Sequence, residues 1–217
     1  MLNVEGLNVN IGAVPVLRDA RFDLQIGQVV GLIGRNGAGK TTFLRTLMGL
    51  LKLQSGAMKF DHFELQKTAP QERAHLGIGY MPEDRGLIRQ LSAEDNICIP
   101  VWSIGIPDWE DRLAWVYEII SEAEEFRAHR ASSLSGDQQK LVALARALMI
   151  GHKLLLLDEP SEGVAPVLAR RISAILRDLK SEGVSVLIAE SNDAHCADLL
   201  DRTFSIERGA ISASGAP

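Results

Sequence analysis

One run of nine residues has the composition of a phosphate-binding loop. Residues 34–42 match the pattern G-x-x-x-x-G-K-[ST], in which glycines let backbone N–H groups converge on an anion. The ammonium of Lys40 would reach the β- and γ-phosphates of a nucleotide, and the hydroxyl of Thr41 would ligate Mg²⁺. The alternative is a tight turn that carries a solvated lysine. The residues predicted to bind the nucleotide are Gly34, Arg35, Asn36, Gly37, Ala38, Gly39, Lys40, Thr41 and Thr42.

Two adjacent acids could complete this chemistry. Asp158 and Glu159 follow the apolar run 154–157, where the first carboxylate can hold a magnesium ion and the second can polarise a water molecule. An acid after an apolar strand is also often no more than a helix cap. Together with the loop at 34–42, the pair predicts a nucleoside triphosphatase.

The elements that position these residues follow from the hydropathy pattern. The first thirty residues alternate apolar and polar positions, which predicts antiparallel strands with one wet face. The apolar runs 29–33 and 154–157 are typical of strands buried on both faces of a parallel sheet, and residues 184–188 read as a further buried strand. Helical spacing appears at 43–51, 136–149 and 166–182, so the alternation of strands and helices predicts a doubly wound α/β core.

The rest of the chain gives weaker signals. Residues 57–80 read as short strand-like pieces, and residues 84–133 read as a helical insertion, with Asp108 or Asp111 capping one helix. We expect residues 212–217 to be frayed.

Composition restricts the class of protein. The 217 residues are 46% hydrophobic and 24% charged, as expected for one large domain with a substantial core. Because 23 basic residues face 28 acidic ones, the chain has no electrostatic footprint for nucleic acid. Cys98 and Cys196 lie far apart, which predicts buried thiols rather than a metal site. The start of the chain has no signal-peptide pattern, and the longest apolar stretch, 97–107, is too short to cross a bilayer.

A third motif, L-S-G-D-Q at 134–138, precedes a helix. It contains the capping-box pattern S-x-x-Q, and it also resembles the signature L-S-G-G-Q of the ATP-binding-cassette (ABC) family. The resemblance implies a P-loop NTPase fold, with a RecA-like core, an N-terminal antiparallel β-subdomain and an inserted helical subdomain. It assigns 1–83 and 150–217 to the core and 84–149 to the helical subdomain of a single nucleotide-binding domain. It also implies a dimer in which the γ-phosphate on one chain meets Ser135, Gly136, Asp137 and Gln138 of the other.

Three shorter elements resemble one branch of that family. Residues 82–85, 158–166 and 189–192 read P-E-D-R, D-E-P-S-E-G-V-A-P and A-E-S-N, and are similar to elements of ATP-binding subunits from branched-chain amino-acid and urea importers. The resemblance implies an ATPase at the cytoplasmic face of the membrane that uses ATP and Mg²⁺. Its implied partners are integral membrane permease subunits, a second cassette and, indirectly, an extracytoplasmic solute-binding protein, with no nucleic acid.

The resemblance also assigns roles to single residues. Glu159 would activate the attacking water, and Lys40 would hold the transferred phosphate. Glu83 and Ser191 stand where the family commonly has a glutamine and a histidine near the γ-phosphate, and Thr41, Asp158 and Glu83 would surround the metal. Ile11 stands about where an aromatic side chain would stack on adenine, so we expect weaker binding of ATP.

Asp137 is the departure with the largest expected effect. Two like charges about 5 Å apart at an effective dielectric near 20 repel by roughly 3 kcal/mol, whereas an acid in the first turn of a helix gains only about 0.3–1 kcal/mol. We therefore predict a degenerate signature and a non-identical partner cassette. The alternatives are a regulatory ATP-binding subunit with little turnover and a soluble ABC protein of translation or DNA repair. A P-loop kinase or GTPase would leave residues 134–138 unexplained.

Overall fold

The computed structural model describes residues 1–213. The expectation of frayed residues at 214–217 lies outside this range. For Ser212 and Ala213 the expectation was wrong, because they pair with Ser205 and Phe204 in an antiparallel hairpin.

Ten strands within residues 1–213 form two sheets. An antiparallel sheet has the order β2-β1-β4-β5, and a six-stranded sheet has the order β10-β9-β3-β8-β7-β6. The strands are β1 (Leu2–Ile11), β2 (Val14–Leu24), β3 (Val29–Ile33), β4 (Ser55–Phe60), β5 (Phe63–Glu64), β6 (Ile78–Met81), β7 (Leu154–Asp158), β8 (Ser185–Glu190), β9 (Arg202–Glu207) and β10 (Ala210–Ala213).

Seven α-helices lie in the same range. They are α1 (Lys40–Leu47), α2 (Pro70–His75), α3 (Ala93–Ile104), α4 (Trp109–Ile119), α5 (Ser121–Glu125), α6 (Gly136–Ile150) and α7 (Pro166–Ser181). None of them is both long enough and apolar enough to cross a membrane.

Two local expectations were wrong. Helix α2 interrupts the segment 57–80; Pro70 begins it, and the Glu72 carboxylate accepts from the N–H of Ala69 at 2.8 Å. Asp108 occupies the position before α4 with a φ of +53°, and its side chain caps no N–H group of that helix in the described part of the chain. Asp111 lies inside the first turn of that helix.

The α/β fold rests on strands whose two faces are both buried. Leu154 and Leu156 pack in one hydrophobic cluster with the antiparallel sheet and α1, whereas Leu155 and Leu157 pack in a second with helices α3 to α7. This alternation confirms the prediction from the continuous apolar run. It also places helices α3 to α7 on one face of the larger sheet, and α1 with the antiparallel sheet on the other. The two cysteines are buried, as expected.

The central strands β3, β8 and β7 are parallel. Their carboxyl ends therefore meet at one edge of the sheet, where ligands bind in open α/β folds. Ile33, at the end of β3, pairs with Glu190, and Asp158, at the end of β7, pairs with Ala189. This register brings the loop at 34–39 and the acids at 158–159 together.

Candidate active site

The glycine-rich loop joins β3 to α1 and encloses a small cavity. Gly37 and Gly39 have φ values of +81° and +116°, a conformation that side chains rarely adopt, so glycine is needed at both positions. Helix α1 begins at Lys40, which directs its free N–H groups and its positive end at the same space. The cavity, about 300 Å³, is lined by Val16, Asn36, Gly37, Gly39, Lys40, Thr41, Thr42, Glu83 and Glu159.

Gly34, Arg35 and Ala38 hold the loop in its conformation through hydrogen bonds of their backbone groups. The carbonyls of Gly34 and Arg35 accept from Lys40 Nζ at 2.5 and 3.3 Å. The N–H of Ala38 donates to Arg35 O at 3.0 Å, and its carbonyl accepts from Gly209 N at 3.0 Å. The loop is therefore braced from within and from the turn between β9 and β10.

Lys40 and Glu159 form a buried ion pair at the base of the cavity. Lys40 Nζ lies 2.9 Å from Glu159 Oε1, and the two side chains are 5% and 3% exposed. This oxygen lies next to the charge of Lys40 but receives no well-aligned hydrogen bond from any group in residues 1–213. It is therefore available to accept a hydrogen bond from a molecule in the cavity.

Thr41 and Asp158 supply oxygens of the kind that Mg²⁺ prefers. Thr41 Oγ1 donates to Asp158 Oδ1 at 3.2 Å, and Tyr80 donates its phenolic hydrogen to Asp158 Oδ2 at 3.3 Å. Burial raises the pKa of Asp158 to about 6 in spite of these two bonds, and the charges of Glu83 and Glu159 act in the same direction. A divalent cation would relieve this accumulation of negative charge.

Residues 1–213 contain no group of three or more His, Cys, Asp and Glu side chains arranged as a metal site. A Mg²⁺ ion here would have to take its other ligands from phosphate and water, as is common for this ion.

Glu159 and a second acid, Glu190, each accept a hydrogen bond from the backbone close to the other in sequence. The carboxylate of Glu159 accepts from the N–H of Ser191 at 3.1 Å, and that of Glu190 accepts from the N–H of Ser161 at 2.8 Å. Burial and the neighbouring Glu159 raise the pKa of Glu190. Ser191 therefore contacts Glu159 through its backbone, while its side chain is exposed.

Tyr80 and Glu190 were missed by the sequence reasoning. Each ends or nearly ends a buried strand whose carboxyl end faces the site. A polar residue at such a strand end is the signal that could have identified them.

The signature residues lie apart from the loop cavity. Ser135 Oγ accepts from Gln138 N at 3.2 Å, and Gln138 Oε1 accepts from Ser135 N at 2.9 Å. This confirms the predicted capping box at the start of α6. Gly136 is exposed and Asp137 is half-buried in the first turn. None of the four residues lines the loop cavity of its own chain.

The structure places two other residues assigned from the sequence, Glu83 and Ile11, differently with respect to this cavity. Glu83 lines the loop cavity and also a larger neighbouring groove. Ile11, by contrast, ends β1 with half its surface exposed and does not line the cavity, where Val16 is the residue contributed by the antiparallel sheet.

Comparison with known proteins identifies the family. The ABC transporter family model matches residues 17–162. The branched-chain amino acid transport ATP-binding protein BraG of Pseudomonas aeruginosa is 34% identical over 97% of this chain and 91% of its own length. The lipopolysaccharide export ATP-binding protein LptB of Acidithiobacillus ferridurans is 32% identical over 93% of this chain and 84% of its own.

A solved structure with the same fold is an ABC transporter cassette in its ADP conformation. It has a TM-score of 0.87 and 26% identity, and the match covers 100% of this chain and 91% of that one. ATP-binding subunits of this family dimerise and work with membrane permeases. The chain belongs to the ABC transporter family and is one of its ATP-hydrolysing, ATP-binding subunits.

Proposed function

We propose that this chain powers an importer for branched-chain amino acids, urea or a related polar solute. The observation that carries the ATPase part is that Lys40, Thr41 and Glu159 line one cavity at the sheet edge, where the Thr41 hydroxyl is bonded to Asp158. The choice of solute rests on the three elements at 82–85, 158–166 and 189–192 and on the similarity to BraG. The similarity to LptB makes lipopolysaccharide export the second candidate.

In the proposed chemistry, Lys40 and the loop N–H groups hold the β- and γ-phosphates. Thr41 and Asp158 would hold Mg²⁺, which would neutralise charge on the phosphates when bound. Glu159 orients and deprotonates the attacking water through the oxygen that has no aligned hydrogen bond. Glu83, which lines the same cavity, would be a further oxygen donor near the metal, and the backbone N–H of Ser191 keeps the Glu159 carboxylate in place.

The proposed dimer places the start of α6 against the nucleotide of the opposing cassette. Ser135 and Gly136 are exposed there, and a capped helix N-terminus suits a γ-phosphate. Asp137 brings a carboxylate to the same turn, so we propose that the partner is a non-identical cassette with an uncharged signature. A tight homodimer of the Glu159→Gln variant with ATP, measured by light scattering, would contradict this.

The effect of Asp137 can be measured directly. Asp137→Gly and Asp137→Asn both remove the charge, and the second nearly keeps the shape. We expect both to raise the ATP turnover of the purified chain, by at most about 160-fold if the full repulsion of roughly 3 kcal/mol is relieved. Turnover equal to that of the wild type in both variants would overturn the repulsion hypothesis.

A permease would hold this chain at the cytoplasmic face of the membrane. The supporting feature is a groove of about 1100 Å³ between α1 and β6 on one side and α3 and α6 on the other. Its lining includes Arg45, Met48, Ile99 and Ser103, and Glu83 lines both this groove and the loop cavity. We propose that a cytoplasmic segment of the permease docks there. A solute-binding protein would act only through the permease.

Solute uptake in cells tests the importer proposal. In a strain that lacks this chain, we expect ATP-driven uptake of labelled leucine or of labelled urea to fall. The wild-type chain should restore it, and the Glu159→Gln variant, made at the same level, should not. Unchanged uptake of both solutes together with reduced lipopolysaccharide at the cell surface would favour export instead. A regulatory subunit would restore uptake with either form.

A further inference from the structure

Lys140 lies one turn into α6 and is almost completely buried, with 2% of its surface exposed. Its ammonium donates to two backbone carbonyls of the loop after β7, Glu159 O at 2.6 Å and Glu162 O at 3.3 Å. Within residues 1–213, no carboxylate forms an ion pair with it.

Burying this charge costs stability. Burial and the positive charge of Arg85 both lower the pKa of Lys140, although Glu190, Glu162 and Glu159 partly compensate. A methionine would fill much of the same space without the desolvation cost. Packing alone therefore does not explain a lysine at this position. The two hydrogen bonds to the loop after β7 are the interaction that a methionine could not make.

These bonds act on an unusual piece of backbone. Glu159 has φ +48°, a left-handed conformation that is unfavourable for residues other than glycine. Its N–H donates to Ala189 O at 2.8 Å, and its carbonyl accepts from Lys140. The peptide groups on both sides of Glu159 are therefore fixed, and this sends its carboxylate towards Lys40 and the N–H of Ser191.

We propose that Lys140 is a positioning residue that holds Glu159 in the geometry needed for hydrolysis and links it to the signature helix. Because Lys140 is on the first turns of α6, a shift of Ser135 against an opposing nucleotide moves the ammonium and hence the Glu159 carbonyl. The signature of a chain thereby acts on the hydrolytic carboxylate of that same chain. This inference rests on the role proposed above for Glu159.

The test compares Lys140→Met with a matched variant, Arg112→Met. Arg112 also donates to a carbonyl of α6, Leu148 O, at 2.6 and 3.1 Å, but it lies outside both cavities. For Lys140→Met we expect kcat for ATP to fall about 10- to 100-fold, with KM for ATP and the Kd for a fluorescent ATP analogue changed by less than about twofold. Arg112→Met should keep the wild-type kcat, although its midpoint of urea unfolding should be similar to that of Lys140→Met.

Lys140→Gln, which keeps an uncharged N–H donor group on a shorter side chain, replaces the methionine variant if that variant is too unstable to purify, and the same split between kcat and KM is expected. A wild-type kcat in the purified Lys140 variant would overturn the inference, as would an equal fall in Arg112→Met. Glu159→Gln separates the two proposals. If that variant loses hydrolysis while Lys140→Met keeps it, only the inference about Lys140 fails; if Glu159→Gln keeps hydrolysis, the proposed role of Glu159 fails.

Discussion

The buried carboxylate of Asp158 lowers the stability of the folded protein as the pH rises and the group ionises. Replacing it with an amide would remove this pH dependence. The side chain has no exposed surface, and burial raises its pKa to about 6 from an ordinary value of 3.8. Because the folded protein holds this proton more tightly than the unfolded chain, the free energy of unfolding falls as the pH rises from about 3.8 to about 6. A shift of two units corresponds to about 3 kcal/mol.

Asp158→Asn cannot ionise, and its amide oxygen can still accept from the Thr41 hydroxyl. The free energy of unfolding of the variant minus that of the wild type should therefore grow by about 2.4 kcal/mol between pH 4 and pH 7, since a small part of the change lies below pH 4. The altered hydrogen bonds shift the free energy of unfolding by a constant amount, which cancels when two pH values are compared. The raised pKa of Glu190 also makes stability depend on pH, but it does so in both proteins and therefore cancels in the difference between them.

The assay is urea unfolding at 25 °C, without divalent cations, at half-unit steps of pH. A difference that stays flat from pH 4 to pH 7, or that shrinks, would refute the reasoning. With Mg²⁺ and ATP added at pH 7.5, the wild type should gain stability and the variant should gain much less, since the oxygen proposed to bind the metal would no longer carry charge.

Two further variants test the packing that supports the site. Arg73→Met removes a buried guanidinium that donates to four backbone carbonyls of α1 and the segment before α2. It should lower the free energy of unfolding by at least about 3 kcal/mol, and a loss below about 1 kcal/mol in urea unfolding would contradict this role. Gly79→Ala places a methyl group of β6 against the backbone oxygen of Ala147 on α6. It should cost about 1–3 kcal/mol, and an unchanged unfolding midpoint would show that α6 can move away from the sheet.

Local signals were sufficient for much of the fold and site. The glycine-rich loop, the acids at 158–159 and the capping box at Ser135 each depend on residues close together in sequence, and the structure has all three features. The buried strands were equally clear, because an apolar run such as 154–157 has no polar face.

Contacts between distant elements could not be read in this way. Glu190 on β8 lies beside the Glu159 side chain, and Lys140 on α6 donates to the Glu159 carbonyl. These contacts depend on the order of the strands and on the packing of a helix against a loop. For the same reason Val16, and not Ile11, lines the cavity: the position of β2 relative to the loop depends on the whole antiparallel sheet. Helix α2 was missed because six residues are too few for a helical period to stand out.

The central claim is that Glu159 activates the water that hydrolyses ATP. The most direct test compares the wild type and Glu159→Gln in the rate of phosphate release from ATP in the presence of Mg²⁺. The carboxylate lies in the loop cavity beside Lys40, so the variant should hydrolyse ATP at least about 100-fold more slowly while binding it with a Kd within about twofold of the wild-type value. Hydrolysis by Glu159→Gln at the wild-type rate would contradict the account.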